Sequence, residues 1–180
     1  MRGDDFSLGI RIHKVPGFLL LAHVQFDVLT GLSYVQYTTL ANFDSATDEL
    51  STELAYRGER TQAQCNLGVL FDHGDAARLG GDRSGWQAGA LAQTRINDYA
   101  SAEFGWTFQH WNSQSAYSPN VIDQIRRQET EIVRAGLIVP IKSLESSLHV
   151  EWRQVRNDEN ISLFQYKGRL LQISLQWQNF

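Results

Sequence analysis

The stretch Arg169-Leu-Leu-Gln-Ile-Ser-Leu-Gln-Trp-Gln-Asn-Phe180 decides how this chain is read. Leu171, Ile173, Leu175 and Trp177 alternate with Gln172, Ser174, Gln176 and Gln178. Successive side chains on a strand point to opposite faces, so this stretch is a strand with one apolar and one polar face. The alternation runs to the end of the sequence and finishes on an aromatic residue, and a soluble domain seldom ends that way. Phe180 stands one residue out of phase with Trp177, which predicts a bulge or kink near Gln178.

Working outward, the same period of two recurs and no helical period competes with it. The first two expected strands are Phe6–Ile12 and Phe18–Phe26, followed by Leu32–Thr39, Leu50–Tyr56 and Ala63–Phe71. Trp86–Arg95, Ser101–Gln109, Val133–Val139 and Ser147–Arg153 follow, and the terminal strand brings the count to about ten. The expected connections alternate in length. Asn157–Lys167, Asn112–Gln124, Asp72–Arg83 and Leu40–Thr47 are long; Lys142–Glu145, Asn97–Tyr99, Arg57–Arg60 and Leu29–Gly31 are short. The link at His13–Gly17 is short where a long one is due. Tyr56, Tyr99, Trp177 and Phe180 fall near the short-turn ends, and Phe71, Trp86, Trp111 and Tyr117 near the long-loop ends.

The 180 residues suit one domain, 1–180, and the mean hydropathy is -0.33. No apolar run approaches the roughly 20 residues of a membrane helix, but strands that interleave polar and apolar residues average out to such a value. The single cysteine, Cys65, excludes an intramolecular disulfide framework, and the net charge of -4 argues against a nucleic-acid partner. No secretory signal precedes Phe6. An exported protein needs one, so a mature form or the C-terminal part of a longer protein is expected.

The character of the polar face chooses between architectures. A soluble sandwich or lipocalin-like ligand-binding barrel turns a charged face outward. Here the polar positions are mostly Gln, Ser, Gly, Asn and Thr, and charges such as Asp72, Asp75, Arg78, Asp82 and Arg83 gather in the expected loops. The expected fold is therefore all-β: an antiparallel, up-and-down transmembrane β-barrel of about ten strands. Long extracellular loops and short periplasmic turns would mark its two rims, with both termini periplasmic. Its interior would be lined by Arg11, Arg95, Glu103, Arg134, His149, Glu151 and Arg153. These would plug a barrel that closes alone, or line a pore in a larger one.

The segment Arg156-Asn-Asp-Glu-Asn-Ile-Ser-Leu-Phe-Gln-Tyr-Lys-Gly-Arg169, with the last strand and terminal Phe, resembles a recurring ending of proteobacterial outer-membrane barrels. It is similar to the barrel of the surface lipoprotein assembly modifier type and of related tetratricopeptide-linked barrels. Tyr117-Ser-Pro and Arg126-Arg-Gln-Glu129 share that character, so the resemblance covers roughly the last 65 residues. It implies an outer-membrane location and a role as pore, translocation component or anchor of an envelope assembly. The partners implied are outer-membrane lipids and lipopolysaccharide, the barrel-insertion machinery reading Trp177 and Phe180, and other envelope or periplasmic subunits. This sequence carries no tetratricopeptide repeats.

No catalytic residue, cofactor or metal site is expected. Ser147, His149 and Glu151 share one strand face and invite comparison with barrel enzymes that hydrolyse lipids. At Cα they stand roughly 7 Å apart, longer than a nucleophile–base hydrogen bond. His13 and His23 could face one another across the first hairpin, but two imidazoles are a weak metal signal. Asp72-His-Gly-Asp75 lacks the spacing of a calcium loop and reads as solvated loop. Gly80-Gly81 reads as turn chemistry, and Arg2-Gly3-Asp4 is too short a match to carry adhesion.

Overall fold

The alternating segments pair with their chain neighbours into one antiparallel sheet. Its strands are β1 (Phe6–Val15), β2 (Leu19–Leu21), β3 (Val24–Gln36), β4 (Ser45–Arg57) and β5 (Thr61–Gly74). They continue with β6 (Arg83–Asn97), β7 (Ala100–Ser118), β8 (Ile122–Ile141), β9 (Ser146–Glu159) and β10 (Tyr166–Trp177). The computed structural model describes residues 6–15, 19–21, 23–36, 45–74, 78–141 and 144–177, with side chains at 23–32, 45–74, 78–141 and 144–177. Phe180, Asp75, the Arg2-Gly3-Asp4 tripeptide and the expected irregularity at Gln178 lie outside the described residues.

The sheet runs β1-β3-β4-β5-β6-β7-β8-β9-β10, with β2 off this path and paired to β3. β4 occupies one edge of β3 from Val24 to Val35, so β1 and β2 share the other. Ten segments thus make nine rows. This corrects two sequence expectations. Leu29–Gly31 is not a turn but the middle of β3, where Gly31 sits opposite Glu49 and leaves room for its side chain. The chain reverses instead at His23, between the paired Leu21 and Val24. The anomalous short link at His13–Gly17 joins two segments of one row, which removes the anomaly. His13 pairs with Leu29, so it does not face His23.

Register fixes the rims. Leu21–Val24, Arg57–Thr61, Asn97–Ala100 and Ile141–Ser146 are joined at one rim, where Trp177 also ends opposite Ser146. The strand ends Gln36 and Ser45, Gly74 and Arg83, and Glu159 and Tyr166 lie at the other, where Phe6 pairs with Gln36. Nine rows therefore place the start of β1 and the end of β10 at opposite rims, and the two strands run in the same direction. The expectation that both ends share a rim does not hold for the described residues, because it rested on an even count. The expected long loop Asn112–Gln124 is mostly strand: β7 runs to Ser118 and β8 starts at Ile122, with register shifts between Asn112 and Ala116 and between Ala116 and Ser118.

Cross-strand partners share a face, and the two faces differ, though apolar side chains such as Leu70 and Leu170 also stand on the more polar one. One carries Leu54, Leu67, Phe104, Leu137, Trp152 and Ile173, all exposed. The other carries Ser51, Asp72, Ser113, Ser147, Asn157 and Glu159, all buried. Among the described residues the two largest fully buried side chains are Asn157 and Asp72. This inverts the ordinary soluble arrangement, in which charged groups are almost never fully buried.

The polar face is concave. One hollow of about 320 Å³ is lined by Gly31, Glu49, Asn66, Gln87, Thr107 and Arg134, one residue from each of β3 to β8. Six strands laid flat would spread over about 24 Å at their usual spacing, so the sheet curls around this hollow. Glycines on the concave face make room for the larger side chains opposite them. Arg134 lies over Gly105 and Asn66 over Gly89, and a Cβ on Gly68 would come within 2.8 Å of Ser51 Cβ.

Candidate functional site

The concave face is furnished with hydrogen-bonded and ion-paired polar groups. Gln87 Nε2 donates to Glu49 Oε1 at 2.6 Å, and Gln109 Nε2 donates to Gln87 Oε1 at 3.1 Å, linking β4, β6 and β7. Arg134 Nε lies 3.7 Å from Glu103 Oε1. Arg153 grips Glu151 Oε1 through Nε at 3.0 Å and Nη2 at 2.7 Å. A second hollow, of about 800 Å³, opens toward the short-turn rim and is lined by Arg95, Glu103, Ser147, His149, Gln176 and Trp177 among others.

Of the residues expected to line the interior, Arg95, Glu103, Arg134 and His149 face these two hollows, and Glu151 and Arg153 line a smaller third one of about 130 Å³. Arg11 pairs with Gly31 on the polar face by register, and its side chain lies outside the described residues. Trp177 ends β10 on the apolar face, exposed and paired in regular register with Ser146.

One distance argument from the sequence fails. Ser147 Oγ and His149 Nε2 lie 2.8 Å apart. Their Cα atoms are far apart, but the two side chains lean along the strand and close the gap. Glu151 does not complete a triad, because its carboxylate is held by Arg153. Among the described residues no three His, Cys, Asp or Glu side chains converge to hold a metal ion.

The strongest electrostatics lie at the long-connection rim, beyond the apolar band, where the sequence suggested solvated loops. Asp72, with 0% side-chain exposure, receives Arg78 Nη2 at 2.8 Å and Arg83 Nη2 at 2.6 Å. Thr47 Oγ1 donates to its other oxygen at 3.0 Å, and Arg83 stacks 4.9 Å over the Trp111 ring. Burial works to raise the Asp72 pKa, but the hydrogen bonds and charges of Arg78 and Arg83 outweigh it and hold the carboxyl below its ordinary value. Trp111 belongs to the polar face, so it is not the outward interfacial ring that its position suggested.

A second knot joins the ends of β8 and β9. Arg126 donates to Glu159 from Nε at 2.6 Å and from Nη2 at 2.7 Å. Its guanidinium lies 4.5 Å over Phe164, whose ring packs edge-on against Tyr117. The hydrogen bond to Glu159 raises the Arg126 pKa against the opposing pull of burial. Asn157 receives Thr130 Oγ1 at 2.7 Å and donates to Glu159 at 2.9 Å and to the Phe164 carbonyl at 2.9 Å. Asn160 bridges the Arg127 amide and the Ile125 carbonyl. The stretches Tyr117-Ser-Pro, Arg126–Glu129 and Arg156–Arg169, singled out separately in the sequence, thus meet in one cluster. Asp72, Arg78, Arg83, Arg126, Asn157 and Glu159 were not read as site residues. Three Asp and two Arg clustered around a glycine-rich connection are the one available signal for the first three. Compared with known proteins, the chain matches no family model and no curated sequence.

Proposed function

We propose that this chain forms the wall of a transmembrane β-barrel in a bacterial outer membrane, serving as a pore, translocation component or membrane anchor of an envelope assembly. The contrast between the two faces carries this reading: exposed large apolar side chains such as Leu67, Phe104 and Ile173 stand on one, and the buried Ser51, Asp72, Asn157 and Glu159 on the other. On β5 the apolar positions run Ala63, Cys65, Leu67, Val69, Phe71, nine residues end to end, and a tilted membrane strand needs about 9–11. Polar connections of unequal length at the two rims agree with it. In lipid the edges of β1 and β10 must be paired. Because the two strands are co-directional, closure needs either a parallel β1–β10 pairing or a further strand antiparallel to both.

The ion pairs Glu103–Arg134 and Glu151–Arg153 and the chain Glu49–Gln87–Gln109 project from the concave face. They favour a narrow or plugged interior over a wide channel. The test is purification and gel migration. The reading expects aggregation without detergent and a folded form whose mobility changes on boiling. A monodisperse protein in plain buffer would refute it. Conductance in planar bilayers then separates an open pore from an anchor.

One observation favours a second reading, a lipid hydrolase: the 2.8 Å contact between Ser147 and His149. Loss of ester hydrolysis in both Ser147→Ala and His149→Ala proteins would support it. Absence of any hydrolysis in the native protein would dismiss it.

A further inference from the structure

Toward the long-connection rim the apolar face of β8, β9 and β10 changes character within two steps of register. Ala135, Trp152 and Leu171 make one cross-strand row; the next on this face is Val133, Gln154, Arg169, and the one after it Glu131, Arg156, Lys167. Residues directly opposite on antiparallel strands have Cβ atoms about 5 Å apart, and like charges in such a pair are destabilising. Arg156 and Lys167 are such a pair, and Arg169 lies two residues from Lys167 on the same face. All three are exposed.

The acids nearby are committed elsewhere or to one cation only. Asp158 Oδ2 lies 2.6 Å from Arg156 Nε. Glu131 stands opposite Arg156 in register and accepts the Trp106 indole N–H at 3.0 Å, so its charge offsets Arg156 and leaves Lys167 and Arg169 unmatched, and Glu129 lies 3.3 Å from His110 Nδ1. Lys167 and Arg169 make no ion pair among the described residues. Two uncompensated cations beside a third therefore sit at the edge of an apolar surface formed by Trp152, Leu171 and Ile173. Such a surface fits an amphiphile whose head is anionic and whose chains lie below it.

We propose that Arg156, Lys167 and Arg169 hold the phosphate groups of a phosphorylated lipid, with its acyl chains along Trp152, Leu171 and Ile173. The proposal rests on the barrel reading above and places the long-connection rim in the leaflet that carries that lipid. A phosphate seated between Arg156 and Lys167 relieves their repulsion and satisfies the free ammonium.

The test uses the whole chain folded in detergent, titrated with bis-phosphorylated lipid A, with its dephosphorylated form, and with inorganic phosphate as competitor. Near an anionic lipid surface each basic residue contributes about fivefold in affinity. The Lys167→Gln/Arg169→Gln protein is expected to bind the phosphorylated lipid about thirtyfold more weakly, by the same reckoning. Its affinity for the dephosphorylated lipid should be unchanged, and Lys167→Arg/Arg169→Lys should restore the loss. Competition by inorganic phosphate alone, with no preference for the lipid form, overturns the lipid assignment. Equal affinity of native and charge-neutral proteins for both lipids overturns the site and leaves these cations as guards of an edge strand. Both proteins must retain heat-modifiable migration. A native protein that is monodisperse without detergent overturns the barrel reading and this site with it.

Discussion

Arg126 and Glu159, 33 residues apart in sequence, form a two-point hydrogen-bonded ion pair, with Glu159 covered by Asn157 and the connection that leads to β10. The pair ties β8 to the end of β9 and fixes how the chain enters its last strand. Its geometry is that of a bidentate arginine–carboxylate fork, which is more directional than a lysine pair.

Removing one partner of a buried ion pair leaves an unmatched charge, at a cost of about 3–5 kcal/mol. Arg126→Leu is therefore expected to lower the unfolding free energy by about 3 kcal/mol. Arg126→Leu/Glu159→Leu should recover part of that loss. Denaturant unfolding of the four proteins in a double-mutant cycle measures the coupling. Additive losses would show that the pair contributes nothing.

The Asp72 knot makes a pH prediction. Its carboxyl is held below the ordinary value of 3.8, so the stabilisation is fully present above that pH. It is lost only as pH falls through the lower folded value. The long-connection rim should therefore keep its structure down to pH 4 and loosen below it, and Asp72→Asn should abolish that transition. Amide exchange at β5 and β6 across this range checks both statements. Loosening between pH 5 and 7 would contradict the sign.

Glycine positions on the concave face differ in what they meet. Arg134 lies across Gly105, whereas nothing comes within 4 Å of a Cβ on Gly168. Gly105→Val should cost about 1–3 kcal/mol through overpacking, and Gly168→Ala should be nearly neutral. Thermal melts of the two variants decide, and a reversed order would contradict the packing described.

The second half of the sheet was legible because its strands alternate cleanly, as Ala102-Glu-Phe-Gly-Trp-Thr-Phe108 and Leu171–Trp177 do. Glu103, Arg134, Glu151 and Arg153 were legible for the same reason: phase alone assigns them to the polar face. The first half was not, because Leu19-Leu-Leu-Ala-His23 has no phase and hides a reversal, while Gly31 imitates one. The long strands β7 and β8 were read short because residues 110–118 and 122–131 lose apolar alternation beyond the exposed apolar band. The rim knots were invisible because they join residues distant in sequence through polar groups that each look solvated. Among the described residues that one misplaced turn makes nine rows of the ten segments, and puts the start of β1 and the end of β10 at opposite rims.

The central claim is that the exposed apolar face lies against lipid. Leu67 is 59% exposed and sits midway between Ala63 and Phe71 on β5. Folding free energies in phospholipid vesicles for the native protein, Leu67→Arg and Phe71→Arg test that claim most directly. The account predicts a loss of about 2–4 kcal/mol at Leu67 and about 0–1 kcal/mol at Phe71, the depth dependence of a bilayer. A Leu67→Arg protein that loses less than about 0.5 kcal/mol, as exposed surface substitutions in water do, would contradict it.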